Sequence, residues 1–410
     1  MKRLIILITI MFCALSLVAQ TTVTVSGVVK NRYNNRALEY VNVYVPGTHI
    51  GTITNSDGEF SIKIPNQYLP AKIEFSHLGF QSQQLDVTNQ NLSNQEIKLA
   101  PGVIRLNEIV VEPVHPRNVI ERAMQSVRKN YPTHPTLYKT FYREFSQIRK
   151  KYINIAEAVA DVYKTSYAQD IIHDRVRIAK GRRLVSPKPS DTLDVKLEGG
   201  PGLALSMDVV KSPGLLLDPE YQPFYDYEFK EFVIINNKLH YAITFRPRVS
   251  IENTPLYLGT IYVEKESYAI SRIEFNMDMS DRDKVTNTIL RKKPLGMRFR
   301  PTNISYLVTY RQDGDKYYLN YIRTELKFNC DWKRKLFATN FTIVSEMVMT
   351  DREDNPEEGI PYRESFGSTK VLSDKVQNFY DENFWEDYNI IEPTESLEFA
   401  VQKLKKAIEK

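Results

Sequence analysis

Leu258-Gly259-Thr260-Ile261-Tyr262-Val263-Glu264-Lys265-Glu266-Ser267-Tyr268-Ala269-Ile270-Ser271-Arg272-Ile273-Glu274-Phe275 reads as strand, turn, strand. Two β-rich runs flank a polar turn, the pattern of an antiparallel hairpin. The neighbouring sequence repeats it. Strand candidates span 137–148 and 152–163 on one side, then 229–235, 239–246, 257–264, 269–277, 303–312, 317–329 and 335–349. Short polar turns such as Asn236-Asn237 and Asp313-Gly314 join them. Ahead of the strands, Pro116 opens a helix with Val119, Ile120, Ala123 and Val127 on one face, closed by Asn130 and Pro132. A Gly- and Pro-bounded stretch at 199–213, with Leu203, Leu205, Met207, Val209 and Val210, predicts a second short helix.

Upstream, short runs at 23–29, 40–45, 51–54, 60–64, 72–75, 83–87 and 96–99 recur about every ten residues, the spacing of a β-sandwich. In Asn55-Ser56-Asp57-Gly58 the glycine supplies positive φ, and Asn55 and Asp57 can bond their own backbone. Pro46-Gly47 and Leu78-Gly79-Phe80 punctuate in the same way. The fold class is therefore mainly β. An N-terminal sandwich, immunoglobulin-like in its strand spacing, precedes a larger antiparallel sheet with a few helices. The expected divisions are a signal peptide at 1–20, the sandwich at 21–100, a linker at 101–115, the sheet domain at 116–351, and a tail with a helix at 352–410.

Val25-Ser26-Gly27-Val28-Val29, Val41-Asn42-Val43-Tyr44-Val45, Gly51-Thr52-Ile53-Thr54-Asn55-Ser56-Asp57-Gly58-Glu59-Phe60 and His77-Leu78-Gly79-Phe80 follow in order and resemble the carboxypeptidase-regulatory-like domain. That resemblance implies a transthyretin-like sandwich and no peptidase activity. Leu106-Asn107-Glu108-Ile109-Val110-Val111 is similar to the segment joining such a domain to the plug of TonB-dependent receptors. A plug and a barrel of about 22 strands, at about ten membrane residues per strand plus turns and loops, would exceed the remaining chain, so the sequence is not read as such a receptor. The hairpin at 258–275 resembles the repeated strand-turn-strand of periplasmic lipoprotein carriers. That resemblance implies a curved sheet half-wrapping helices and sheltering an acyl chain; the alternative is that the same apolar residues fill a packed core.

Lys2 and Arg3 precede an apolar run at 4–18, which reads as an export signal with Thr21 as the expected mature start. Cys13 lacks the small residues a lipid-anchor site requires before it. Without residues 1–20 the formal charge falls from +5 to +3, no nucleic-acid signature. No later stretch reaches the roughly 18 apolar residues of a spanning helix. Cys330 then stands alone as a small apolar residue in a strand. The expected location is periplasmic or associated with the outer membrane.

None of His49, His77, His115, His134, His173 and His240 begins a His-x-x-Glu motif, and His-Glu-x-x-His is absent. Arg363-Glu364-Ser365-Phe366-Gly367 lacks the first glycine of a nucleophile elbow. Phosphate-cradling glycine loops are absent, and the acids at 278–283 and 351–354 lack calcium-loop spacing. No residue is assigned as catalytic, cofactor-binding or metal-binding, and no cofactor is expected. Lys180-Gly181-Arg182-Arg183 and Arg291-Lys292-Lys293 are basic clusters, read as solvated loops or as peripheral contacts with anionic lipid. The expectation is a non-enzymatic envelope protein with a binding or scaffold role, whose partner is an envelope protein or a lipid. Two alternatives stand beside it. One is an exported hydrolase acting on glycans through Asp381, Glu382, Glu386 or Asp387, amid the rings of 379–388. The other is an adaptor docking on another envelope protein.

Overall fold

The structure is a computed structural model that describes residues 22–102, 115–188, 195–197, 199–332, 338–367, 370–374, 376, 385 and 388–408. Its first seven strands are β1 (Thr22–Asn31), β2 (Asn42–Tyr44), β3 (Gly51–Ile53), β4 (Glu59–Pro65), β5 (Ala71–Ser76), β6 (Gln83–Val87) and β7 (Leu92–Leu99). They form two sheets, β4-β1-β7 and β3-β2-β5-β6. Alternation along β4 turns Phe60, Ile62 and Ile64 inward, where Phe60 meets Phe75 edge-on at 5.0 Å. At the β3–β4 hairpin Asn55 Oδ1 accepts the backbone N–H groups of Asp57 and Glu59, and Gly58 takes φ +76°. A Cβ on Gly58 would stand 2.7 Å from the carbonyl oxygen of Val29, so glycine is required twice over.

The rest of the chain contributes α1 (Pro116–Gln125), α2 (Val127–Asn130), β8 (Thr136–Ile148), β9 (Lys151–Lys164), β10 (Arg175–Val185), β11 (Lys196–Leu197), α3 (Pro201–Ser206) and α4 (Gly214–Leu217). There follow β12 (Tyr225–Ile235), β13 (Lys238–Pro247), β14 (Tyr257–Glu264), β15 (Ile270–Met277), α5 (Arg282–Ile289), β16 (Leu290–Lys292), β17 (Met297–Asp313), β18 (Lys316–Trp332), β19 (Thr339–Asp354) and α6 (Glu395–Ile408). Ten strands make one open antiparallel sheet in the order β10-β9-β8-β19-β18-β17-β15-β14-β13-β12. Two meanders, β8 to β10 and β12 to β19, meet where β19 lies between β8 and β18. Asn236 and Asn237, both at positive φ, make the tight turn between β12 and β13.

One reading of the sequence needs correction. The basic cluster 180–183 is not a loop: it lies in β10, paired with β9. The acids at 351–354 are the end of β19, opposite residues 136–139 of β8. The acids at 278–283 start a helix: the Asp281 carboxylate accepts the N–H groups of Asp283 and Lys284 and caps α5.

Side chains alternate along β9 and so define two faces. Ala156, Ala158, Ala160 and Val162 lie in the largest core cluster, under the helices. Val159 faces away and packs with Ile53 of the sandwich and Trp385 of the tail. Ile155 also faces away, against Leu397, Val401 and Leu404 of α6. The tail therefore meets both faces: Leu372 joins the helical side, and Trp385 and α6 join the other. At the edge between them, Phe366 N–H donates to Val176 of β10 at 2.6 Å and covers one otherwise open sheet margin.

Candidate binding face and its buried charges

The crossover from β10 to β12 carries α3 and α4 across the helical face. Gly200 at φ +92° and Pro201 start α3; Pro213 and Gly214 at φ +41° start α4. Ala204, Leu205, Leu216 and Leu217 bury themselves in the same cluster as Tyr138 and Tyr142. The alanines of β9 keep that side of the sheet low, so that large side chains from the cover can settle on it.

Four charges hold this cover down. Lys164 ends β9, Asp174 precedes β10, and Asp208 and Lys211 lie between α3 and α4. Lys164 Nζ is 2.9 Å from Asp174 and 2.9 Å from Asp208, and Lys211 Nζ is 2.6 Å from Asp174; none of the four side chains is more than 1% exposed. Tyr167 and Tyr310 hydroxyls donate to the two oxygens of Asp208 at 2.8 and 2.7 Å. Lys211 also donates to the carbonyl and hydroxyl of Thr165. The quartet is neutral as a whole and its polar atoms are matched, the condition under which buried charge is tolerated.

Burial works against charge on Lys164, but Asp208 and Asp174 outweigh it and hold its pKa above the ordinary lysine value. Burial likewise opposes charge on Asp208, and Lys164 overrides it and keeps that carboxyl low. Lys211 differs: burial and the neighbouring Lys164 pull it down to about 8, against the pull of Asp174. Lys164 is thus held as the cation that joins β9 to the crossover.

The opposite face is a seam with the sandwich and tail. Asn320 of β18 donates to Asn42, Arg311 donates to the carbonyl of His49, and Gly79 N–H donates to Ile234 of β12. His49 Nδ1 lies 3.2 Å from Asp313, which also pairs with Arg352 at 2.7 Å. The His49 hydrogen bond comes first, with Arg352, in holding the Asp313 carboxyl down to about 2, against burial. Beneath the tail, buried Arg143 binds Glu157 at 2.8 Å, Glu346 at 3.3 Å and the carbonyl of Ile391 at 2.8 Å. Arg182 pairs with Glu157 and lies over the Trp385 ring at 4.8 Å. That arginine of the expected lipid-contacting cluster is thus committed inside the protein.

Other residues singled out from sequence fall as follows. Arg291, Lys292 and Lys293 are exposed, at β16 and just after it. Cys330 is buried in β18. His240 is buried and His77 half-buried, and desolvation lowers them to about 4 and about 3. Asp381, Glu382, Glu386 and Asp387, the 106–111 segment and the export signal at 1–20 lie outside the described residues. Among the described residues no three His, Cys, Asp or Glu side chains converge as a metal-ion site. The quartet itself was missed, since its members are scattered over 164–211 with no motif; only the topology joins them.

Residues 25–111 match the CarboxypepD_reg-like domain, and the sandwich belongs to that family. Over 87 residues the chain is 36% identical to TonB-dependent receptor P3 of Formosa agariphila, a match covering 21% of this chain and 8% of the receptor. The chain thus spans a small fraction of that relative's length. Among solved structures it is similar to a Vibrio parahaemolyticus domain assigned to outer-membrane lipoprotein sorting, at 10% identity over 60% of this chain and 94% of the other, TM-score 0.29. It is also similar to a LolA superfamily protein of Nitrosomonas europaea, at 9% identity over 62% and 98%, TM-score 0.22. The resemblance of the first domain drawn from the sequence recurs in the family match.

Proposed function

We propose that this chain is an exported, non-enzymatic binding scaffold of the cell envelope. The sandwich and tail brace the outer face of its long sheet, and the helical face takes an acyl chain when the crossover lifts. The buried quartet carries this reading. A cover fastened through charges regains hydration for Lys164, Asp174, Asp208 and Lys211 when it opens, which offsets part of the cost of parting its apolar contacts. What it would uncover is an apolar floor of small alanines ringed by tyrosines, the lining expected of a site for an acyl chain. The charged start and apolar run of residues 1–20, and the sandwich shared with an outer-membrane-type receptor, support the location.

Mass spectrometry of material extracted from the natively purified protein, with titration of a fluorescent fatty acid, tests this function. Bound lipid and saturable probe binding, tightened when Asp208→Ala releases the cover, are the expected results. Absence of both from wild type and from that variant would remove the acyl-binding reading.

A further inference from the structure

We infer that one end of the long sheet is a docking surface for an anionic lipid bilayer, a contact separate from the acyl-binding reading. The register of the strands gathers this surface from four places in the sequence. Met297 at the start of β17 lies opposite Trp332 at the end of β18. Cys330 lies opposite Thr339 at the start of β19, and Phe341 opposite Ile148 at the end of β8. Ile148 in turn lies opposite Lys151 at the start of β9, and Val185 at the end of β10 opposite Asn154. All these termini share one end of the sheet.

That end is basic. Arg149, Lys150 and Lys151 form the β8–β9 tip, Lys188 follows β10, and Arg291, Lys292 and Lys293 precede β17; all are exposed, as are Arg298 and Arg300 on β17. Asp331, opposite Arg298, is the acid on the strand ends themselves. Glu252, between β13 and β14, and Asp278, Asp281 and Asp283, between β15 and β16, are acids at the same end and are fewer than these cations. The exposed cations gathered at the 149–151 and 291–293 tips would draw this end toward a negative surface.

An apolar tip stands in the middle of the cations. Leu295, in Lys293-Pro294-Leu295-Gly296, is 99% exposed. Gly296 at φ +78° turns the chain, with open space around its Cβ position, so the tip projects without packing on its surroundings. An exposed leucine encircled by lysine and arginine suits the headgroup boundary of a bilayer, where the side chain enters the acyl region and the cations meet phosphates.

Sedimentation of the purified chain with phosphatidylcholine vesicles, with and without phosphatidylglycerol, tests the contact. Each cation near such a surface is worth about fivefold in partitioning, so the triple variant Arg291→Gln, Lys292→Gln, Lys293→Gln should lose about a hundredfold of the phosphatidylglycerol-dependent binding. Added salt should weaken binding in the same direction. A control triple variant of exposed lysines and an arginine elsewhere, Lys72→Gln, Lys230→Gln, Arg363→Gln, should bind like wild type. A polarity-sensitive dye on Leu295→Cys should shift to the blue on the mixed vesicles. The inference is overturned if phosphatidylglycerol adds nothing, if the 291–293 variant binds within threefold of wild type, or if the dye does not respond. Capture on an immobilised sulfated polysaccharide without vesicle binding would assign the surface to a glycan instead.

Discussion

Replacing Asp208 by alanine should free the crossover from the sheet. The substitution removes one of two partners of Lys164 and the acceptor of two tyrosine hydroxyls. Breaking a buried ion pair costs about 3–5 kcal/mol, and Lys164 retains Asp174, which places this loss at the lower limit. Two buried hydroxyls left without an acceptor add about 1–3 kcal/mol each where they find no water. The expected loss is roughly 5–9 kcal/mol, a large share of the 5–15 kcal/mol typical of a folded protein. Urea unfolding followed by circular dichroism gives the total, and amide exchange over residues 199–217 tells local lifting from global loss. Removing the cation as well, in Lys164→Met with Asp208→Ala, should recover about 2 kcal/mol, since the remaining Lys211–Asp174 pair is neutral. A loss under about 1 kcal/mol with unchanged exchange would refute the claim that these charges hold the cover.

Three further outcomes follow from the same physics. Lys211, held at about 8 in the fold, loses its proton there while the unfolded chain retains it up to about 10.4, so the unfolded state binds more protons and stability rises with pH in that window. Melting temperatures of wild type should therefore gain on those of Lys211→Met from pH 8 to 10; a constant difference would contradict this. Asp313, held at about 2, gives stability that is present above its unfolded value of about 3.9 and lost as pH falls toward 2. Wild type and Asp313→Asn should thus differ at neutral pH and converge in acid, and a gap persisting at pH 2 would be inconsistent with the pairing. Gly259→Val puts a Cβ 2.0 Å from the carbonyl oxygen of Glu274 between β14 and β15 and should cost about 3 kcal/mol. Gly47→Ala, in open space at φ +76°, should cost about 1 kcal/mol by the same unfolding measurement.

The sandwich was legible almost strand by strand, because β1 and β4 are half-buried and alternate, and because Gly58 and Gly79 mark turns that need positive φ. The long hairpins were legible for the same reason, with Asn236-Asn237 in the left-handed turn expected of it. β10 was not. Its Lys180-Gly181-Arg182-Arg183 carries charge at successive positions, and only the acids of β9 and the tail above explain why such a run lies in a strand. α5 was missed because its eight residues bury only Val285 and Ile289, too little apolar periodicity to register. The quartet had no signal at all: lysine and aspartate are ordinary surface residues until a crossover folds them under two helices.

The position of β19 governs the order in which the sheet is finished. Arg143 in β8 and Glu346 in β19 are 203 positions apart, yet they sit on neighbouring strands. A polypeptide synthesised amino end first therefore carries β8 with one row of peptide groups unanswered until some two hundred further residues arrive. Whatever accompanies the nascent chain must shield that row meanwhile, and truncation anywhere before residue 339 would leave two half-sheets with sticky inner margins rather than a smaller version of the protein.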